Sequence, residues 1–456
     1  MEIIWFKTLE YSVVTVLTAL ALGFIAGTSL TWTSPERTHL NETVFDDNLQ
    51  DNDWSWIGGL LSLGAAVGPF IFSYLADKIG RKYTLLAVSV PFAVSSVICA
   101  FANTIPEFMV ARLITGFGVG GTFTILPMYV GEMSLDEHRG ALGSGMNAFI
   151  CAGLIFTYVV GYFVSNVMVF NLLLAGITAM FFLLFFLIGT ETPHYHVQKN
   201  QHDLAKEALL KIRNAPSDET EKELEMIRKE IEKEERGSLL DIFRTKGNIK
   251  AFIIGAGLVF FQQASGINAV LFFAQTIFED AGTTLEAGYC SMIIGAVQFG
   301  TSFITPLVSN LFGRKFLLIF SSIGMCLSES ILGVYDIIKS NHPDSVSSSL
   351  SFLPILSLVL YIITYNVGIG PLPWAIIAEI FPTNIKAPAG ALAASVCWFT
   401  SFLITNWFTQ IVHKLGQGQC FLGFAGFSLL MGVFTVFYVL ETKGKSLAQI
   451  QADLNR

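Results

Sequence analysis

The sequence predicts an all-α membrane protein in which twelve transmembrane helices form two six-helix bundles, with short cytoplasmic helices between the halves. Composition, a series of long apolar stretches and an internal repeat support this prediction. The chain has 456 residues, of which 53% are hydrophobic and only 14% are charged. Soluble proteins carry about 25% charged residues, so the composition excludes an ordinary soluble domain and indicates a chain that crosses a membrane several times.

Twelve apolar stretches are long enough to cross a bilayer, whose core of about 30 Å requires roughly 20 residues of helix. The first six lie near residues 11–33, 54–75, 83–102, 105–129, 140–163 and 168–190. The second six lie near residues 249–279, 286–311, 316–338, 350–380, 387–412 and 419–440. We expect the first stretch to be retained, because it is too long for a signal peptide and lacks a basic n-region.

The distribution of lysine and arginine predicts the orientation, since these residues are enriched in cytoplasmic loops. With the N-terminus inside, the outer segments hold only Arg37, Lys339 and Lys414, and all other basic residues lie inside or in the membrane. We therefore expect a multi-pass protein of the cell membrane with both termini cytoplasmic. The predicted units are a bundle at 1–190, a cytoplasmic helical linker at 191–248, a second bundle at 249–441 and a tail at 442–456.

The first outer loop, residues 34–53, is acidic and contains the sequon Asn41-Glu42-Thr43. On the outer face this sequon can be glycosylated, so Asn41 is a predicted glycosylation site; an unused sequon is the alternative. The linker between the halves is the one strongly polar segment. Its apolar residues recur at helical spacing among charges, which indicates short amphipathic helices on the cytoplasmic face.

The two halves resemble each other, because matching charged motifs follow corresponding helices on the cytoplasmic side. The matched residues are Gly80-Arg81-Lys82 with Gly313-Arg314-Lys315, Glu132 and Arg139 with Glu379 and Lys386, and Glu191-Thr192 with Glu441-Thr442. The repeat predicts two bundles related by an axis along the membrane normal, with a substrate site between them. These acids and bases can form charge-assisted hydrogen bonds in one access state and break them in the other. Topology alone would explain the bases but not the matching glutamates.

These motifs resemble the sugar-porter branch of the major facilitator superfamily over nearly the whole chain. The residues that carry the resemblance are Asp77 to Lys82, Arg112, Glu132 to Gly140, Gln262 to Asn268, Gly370 to Trp374 and Glu441 to Gly444. Thr33-Ser34-Pro35 and Glu379-Ile380-Phe381-Pro382 are similar to insect facilitated trehalose and hexose transporters. The resemblance implies sugar transport by alternating access, and it adds Asp77 to the predicted cytoplasmic gate.

Helix seven contains Gln262, Gln263, Ser265 and Asn268 in an otherwise apolar run. On a regular helix at 100° per residue, Gln263 and Asn268 would point about 140° apart. Gly266 permits a break that would let these amides converge on a cavity. Amides suit a neutral polyol because each offers a donor and an acceptor. Hydrogen bonding between helices is the alternative explanation for these residues.

The resemblance implies five further substrate contacts, taken position by position. They are Asn147, Gln298, Asn366, Trp374 and Trp398, with the two tryptophans as walls for a sugar ring. The chain departs from the family pattern at Cys397, Phe272, Phe273, Asn310 and His194. These departures leave the fold prediction intact but put the identity of the sugar and the strength of gating in question.

Helix one contains no Asp or Glu, whereas proton-coupled relatives place an acid there, so we expect a uniporter. Glu329 is an unexplained acid in the middle of helix nine, which requires protonation, a hydrogen bond or a nearby cavity. A proton–sugar symporter and a sugar receptor without efficient transport are the alternatives. We expect no cofactor, no metal site and no nucleic-acid partner, and a functional monomer surrounded by lipid. The sequence contains no arrangement typical of an enzyme.

Overall fold

The structure is a computed structural model that describes residues 11–134, 136–213, 217–233, 239–283, 285–342, 350–445 and 447–455. Its described elements are all helical. The first half of the chain forms α1 (Tyr11–Thr31), α2 (Thr33–Thr43), α3 (Asp51–Ile79), α4 (Arg81–Phe101), α5 (Ile105–Met133), α6 (Asp136–Phe163) and α7 (Val167–Ile188). The linker forms α8 (Pro193–Gln198), α9 (His202–Arg213), α10 (Ser217–Lys233) and a 3-10 helix, Leu239–Phe243.

The second half of the chain is more interrupted than the first. It forms α11 (Lys246–Ala264), α12 (Ile267–Phe272), α13 (Ala274–Ala281), α14 (Ala287–Ser302), α15 (Ile304–Leu311), α16 (Arg314–Asn341), α17 (Leu353–Val367), α18 (Leu372–Ile380), α19 (Thr383–Leu415), α20 (Gln417–Tyr438) and α21 (Leu447–Asn455). The break predicted in helix seven is therefore present at Gly266, and helix ten is also interrupted, between Val367 and Leu372.

Eleven helices among the described residues are long and apolar enough to cross a membrane, and they correspond to eleven of the predicted stretches. The remaining stretch, near 286–311, forms two shorter helices, α14 and α15, which meet at Phe303. Pro306 accounts for this break, because proline has no N–H to donate to the carbonyl four residues earlier.

The segment predicted as an acidic outer loop contains the helix α2, and one of its acids is not at the surface. Glu36 and Leu40, one turn apart on α2, are both fully buried. Pro35 is tolerated in the first turn of α2, where backbone N–H groups lack helical partners. The predicted outer loop at 34–53 therefore includes a helix, and its acidic composition gave no indication that Glu36 is buried.

The helices pack closely within each half and also across the halves. Inside the first half, α3 and α5 approach so closely that a Cβ at Gly64 would collide with the Leu113 carbonyl, which is typical of small residues at membrane helix interfaces. Between the halves, α3 packs on α19 and α6 packs on α14. Residues of α6, α14 and α19 also line a central cavity.

The linker helices carry a small apolar cluster of their own. Ala205 and Leu209 of α9 are fully buried and pack with Val197 of α8 and Ile227 of α10. This packing agrees with the predicted amphipathic helices at 191–248. The linker also contacts α1, because the ammonium of Lys211 lies 4.6 Å from the ring centroid of Tyr11.

Candidate functional site

A cavity of about 280 Å³ lies between the two halves, and its lining combines amide and aromatic side chains. All eight side chains that the sequence predicts as substrate contacts line it: Asn147, Gln262, Gln263, Asn268, Gln298, Asn366, Trp374 and Trp398. The described lining residues include no Asp, Glu, Lys, Arg or His. The site is therefore polar but uncharged, which suits a neutral ligand with several hydroxyl groups.

Gly266 creates the break that brings the helix-seven amides together. It adopts the left-handed conformation with φ of +78° between the end of α11 and the start of α12, a conformation that glycine accepts without steric cost. A Cβ at this position would also lie 2.5 Å from the ring of Phe424. Across the break, Asn268 Nδ2 donates to Gln263 Oε1 at 2.9 Å, so two amides that a regular helix would separate are in contact.

The Asn268 amide also has a partner outside helix seven. Its Nδ2 atom donates to Ser401 Oγ of α19 at 2.7 Å. Gln263 Nε2 donates to the Cys397 sulfur at 3.2 Å, and a thiol is a weak acceptor. Cys397 and Ser401 are one turn apart on α19, so both face helix seven.

Gln262 joins the two interrupted helices of the second half. Its Nε2 atom donates to the carbonyl oxygens of Ile369 and Gly370, both at 2.7 Å. These carbonyls lie in the turn between α17 and α18, where proline at 371 removes a backbone donor. The broken helix thus leaves backbone carbonyls without helical partners, and a side-chain amide donates to them. Irregular backbone at membrane depth is tolerated only where it is buried in protein or lines a cavity.

Two fully buried polar atoms of cavity-lining residues have no hydrogen-bond partner among the described residues. They are the Oε1 acceptor of Gln298 and the Nε1 donor of Trp398, whose side chains are almost fully buried. Asn366, by contrast, donates to Thr301 Oγ1 at 2.6 Å. Buried polar atoms are rarely left unpaired in native proteins, so this acceptor and this donor are candidates for hydrogen bonds to a ligand in the cavity.

Aromatic rings form the remaining wall of the cavity. Trp398 packs edge-to-face on Phe123 of α5, with ring centroids 5.4 Å apart, and Trp374 and Tyr365 also line the cavity. The sequence interpretation did not include Phe123, Tyr365 or Ser401. Ser401 could have been inferred from its helical spacing to Cys397, whereas Phe123 comes from the other half and has no such signal.

The two ends of the helical assembly are connected differently, and we name them by the residues they contain. The Asp51 end includes α2, α13 and the first residues of α3. The Arg81 end includes the first residues of α4 and the first residues of α16. At the Asp51 end, several contacts join the halves. Thr33 Oγ1 donates to Phe272 O at 2.9 Å, and Tyr158 Oη donates to Leu271 O at 2.8 Å.

Charged groups add to the closure of the Asp51 end. Arg37 of α2 pairs with Asp51 and also donates to Thr276 Oγ1 of α13 at 2.9 Å. Asp51 accepts a second contact from His413 Nε2 of α19 at 2.5 Å. Burial raises the pKa of the neighbouring Asp280 carboxyl, and the charge of Arg37 opposes that shift.

At the Arg81 end, six of the nine predicted gate residues form two clusters, one in each half. Arg81 pairs with Glu132 at 3.0 Å, and Glu191 accepts from the backbone N–H groups of Arg81 at 2.8 Å and Lys82 at 3.1 Å. Burial raises the pKa of the Glu191 carboxyl, while these N–H groups lower it. Glu191 therefore caps the start of α4, where helical N–H groups lack partners.

The second half repeats this arrangement with looser geometry. Arg314 pairs with Glu379 at 3.4 Å, and Glu441 accepts from the backbone N–H of Arg314 at 3.0 Å. Lys386 is exposed in the first turn of α19, and Asp77 lies in the last turn of α3. The side chains of two further residues singled out in the sequence lie outside the described part of the chain, those of Arg139 and Asn310.

The unexplained acid of helix nine lies away from the cavity. Glu329 is buried between α16 and α20, where Ser428 Oγ donates to its Oε2 at 2.8 Å.

The predicted glycosylation residue Asn41 is half-buried in α2 at the Asp51 end. Its Nδ2 donates to Asp47 Oδ1 at 2.9 Å.

Comparison with known proteins places the chain in a family. Residues 11–454 match the family described as "Sugar (and other) transporter". The facilitated trehalose transporter Tret1 of Culex quinquefasciatus is 35% identical over 96% of the chain and 85% of that protein. Tret1 of Aedes aegypti is 34% identical over 96% of the chain, which spans 54% of that longer relative.

Solved structures give the same fold. The proton:xylose symporter XylE bound to 6-bromo-6-deoxy-D-glucose superimposes with a TM-score of 0.78 at 24% identity, covering 97% of this chain and 99% of that one. XylE belongs to the major facilitator superfamily. These relatives are transporters rather than enzymes.

Proposed function

The chain belongs to the sugar transporter family, in its sugar-porter branch, and from that premise we propose that it is a facilitative uniporter for a hexose or a small disaccharide such as trehalose. It moves this sugar across the plasma membrane by alternating access. Twelve transmembrane helices in two six-helix bundles, with both termini cytoplasmic, are part of the proposal. The observation that carries it is the uncharged, amide-lined cavity with one buried donor and one buried acceptor unpaired.

The chemistry of the cavity favours a sugar over other solutes. Sugar hydroxyl groups both donate and accept, so they can satisfy Gln298 Oε1 and Trp398 Nε1 at the same time. The apolar face of a sugar ring can stack on tryptophan. The volume of about 280 Å³ lies near the lower limit of about 300 Å³ for small-molecule sites, which favours a small ligand.

The proposal assigns the Asp51 end to the outside and the Arg81 end to the cytoplasm. In this state the contacts of Thr33, Tyr158 and Asp51 hold the halves together on the outer side. The described contacts at the Arg81 end lie within each half instead. When the outer side opens, the contacts of Thr33, Tyr158 and Asp51 between the halves would break. The charged clusters of the two halves would then approach each other on the inner side.

Uniport is favoured over proton symport because no carboxyl group lines the cavity among the described residues. Glu329 is hydrogen-bonded inside the second half, and α1 contains no acid. Proton symport is the second candidate, since the structural relative XylE is described as a proton:xylose symporter. A receptor that binds sugar without transport is the third.

Uptake of labelled glucose and trehalose in a heterologous cell, with and without a protonophore, tests the proposal. Saturable uptake that is indifferent to the protonophore supports a uniporter, whereas uptake abolished by it supports symport. Binding without counterflow would favour the receptor, and neither binding nor uptake would refute sugar transport by this chain.

A matched pair of variants tests the site itself. Gln263→Ala removes the contacts to Asn268 and Cys397 and should raise the half-saturation concentration at least tenfold, the effect of about 1.4 kcal/mol. Asn171→Ala removes an equally buried amide, bonded to Trp32, that does not line the cavity. It should leave the half-saturation concentration unchanged. Unaltered affinity in Gln263→Ala, at normal expression, would remove this residue from the site.

A further inference from the structure

A chain of three buried hydrogen-bonding residues connects the central cavity with the interface between the halves. Asn268 Nδ2 donates to Ser401 Oγ at 2.7 Å, and Ser401 Oγ lies 2.9 Å from Ser62 Oγ of α3. Asn268 lines the cavity, whereas both serines are almost fully buried. Since α3 belongs to the first half and α19 to the second, the Ser62–Ser401 bond crosses the surface along which the halves move.

We propose that Ser401 is a positioning residue that couples sugar binding at Asn268 to the opening of the α3–α19 interface on the outer side. The inference rests on the proposed function. It goes beyond that function because it identifies which contact conveys the state of the site to the moving interface.

The hydrogen-bond donors and acceptors of these three side chains support coupling between Asn268 and the Ser62–Ser401 bond. Both Nδ2 hydrogens of Asn268 are used, one on Gln263 Oε1 and one on Ser401 Oγ. Because Ser401 Oγ accepts from Asn268, its own hydrogen can be donated to Ser62. Hydrogen bonds in such a series polarise and strengthen one another. A sugar hydroxyl that reorients the Asn268 amide would therefore weaken the bond between the halves.

The position of the bond along the interface also matters. From the Asp51 end inward, α3 contacts α19 at Asp51–His413, at Ser55–Thr409, at Ser62–Ser401 and at Ala66–Ser395. The Ser62–Ser401 contact is the one in this series that also bonds to a cavity-lining amide of α12. It lies at cavity depth, on the interface that opens in the proposed mechanism.

Ser395 offers a matched control on the same two helices. Its Oγ donates to Ala66 O at 2.7 Å, so it also joins the halves, but its partners are backbone carbonyls rather than the cavity amides. The comparison of Ser401 with Ser395 therefore separates coupling to the site from simple adhesion between helices.

The test measures the outer opening with spin labels on Asn52→Cys and Gln410→Cys, whose native side chains touch across the halves at 2.8 Å. Without sugar, Ser401→Ala should raise the open-to-closed ratio about fivefold, the effect of one net hydrogen bond. Asn268→Ala should raise it by part of that amount. The double variant should resemble Ser401→Ala alone, whereas Ser395→Ala and Asn268→Ala should act additively. Ser401→Thr, which keeps the hydroxyl, should restore the original ratio.

Additive effects of Ser401→Ala and Asn268→Ala would overturn the proposal, as would a wild-type ratio in Ser401→Ala. The amount of monodisperse protein establishes that each variant is folded. A failure of the proposed function would be seen separately, as absence of saturable uptake by the unsubstituted chain. The sugar-free label distances would still report whether the two residues are coupled.

Discussion

Replacement of Gly266 by alanine tests the idea that one backbone conformation assembles the binding site. Gly266 has φ of +78°, which costs an L-residue about 1–2 kcal/mol. The added Cβ would lie 2.5 Å from the Phe424 ring, and such overpacking costs a further 1–3 kcal/mol or so. We therefore expect Gly266→Ala to destabilise the native break by about 2–5 kcal/mol in total.

The consequence for binding follows from the contact across the break. If the chain relieves the strain by moving α12 relative to α11, the Asn268–Gln263 bond of 2.9 Å is lost. A penalty of about 2 kcal/mol expressed at the site corresponds to a roughly thirtyfold higher half-saturation concentration. Sugar uptake in proteoliposomes and thermal unfolding in detergent measure the two effects.

Two controls separate the backbone penalty at Gly266 from the steric collision with Phe424. Phe424→Ala combined with Gly266→Ala removes the steric collision but not the backbone penalty, so it should recover only part of the loss. Gly423→Ala changes a glycine of α20 whose added Cβ meets nothing within 4 Å, and it should be neutral or slightly stabilising. Wild-type affinity and unfolding midpoint in Gly266→Ala would refute the view that this glycine builds the site.

Two further predictions concern charged groups. Arg81→Ala should destabilise the protein by about 3–5 kcal/mol, because it leaves the carboxylate of Glu132 unpaired. The side chains of this pair are only 8% and 14% exposed. Arg314→Ala, in the more exposed pair with Glu379, should lower the free energy of unfolding by less than half as much, as measured by thermal unfolding. Equal losses would contradict this ranking. Burial raises the pKa of Glu36 well above its usual range, so the folded state favours the protonated form and the stability that Glu36 contributes should fall as pH rises toward that pKa. Glu36→Gln, neutral at every pH, should remove that part of the pH dependence, and an unchanged stability profile would argue against a protonated Glu36.

Much of the site could be predicted from local sequence. Helix seven places two glutamines and an asparagine around Gly266, and polar residues in an apolar span require partners. Glycine and proline mark the two broken helices, because each changes what the backbone can do locally. For this reason the predicted break at Gly266 and the cavity position of the amides agree with the structure.

Other features depend on which segments meet in three dimensions. The sequence predicts an acidic outer loop at 34–53, yet Glu36 in this segment is buried, since burial is decided by neighbouring helices and not by the residue itself. The sequence likewise gives no signal that Ser62 and Ser401, 339 positions apart, share a hydrogen bond.

The sequence by itself determined that this chain is a helical membrane protein with amides and aromatic residues at its polar centre, because apolar length and local helix breaks are encoded residue by residue. Only the tertiary structure decided which end of the assembly is closed, that the charged clusters lie within each half, and that the cavity amide reaches the interface. These features arise from contacts between distant segments, whose relative positions depend on the packing of the whole fold.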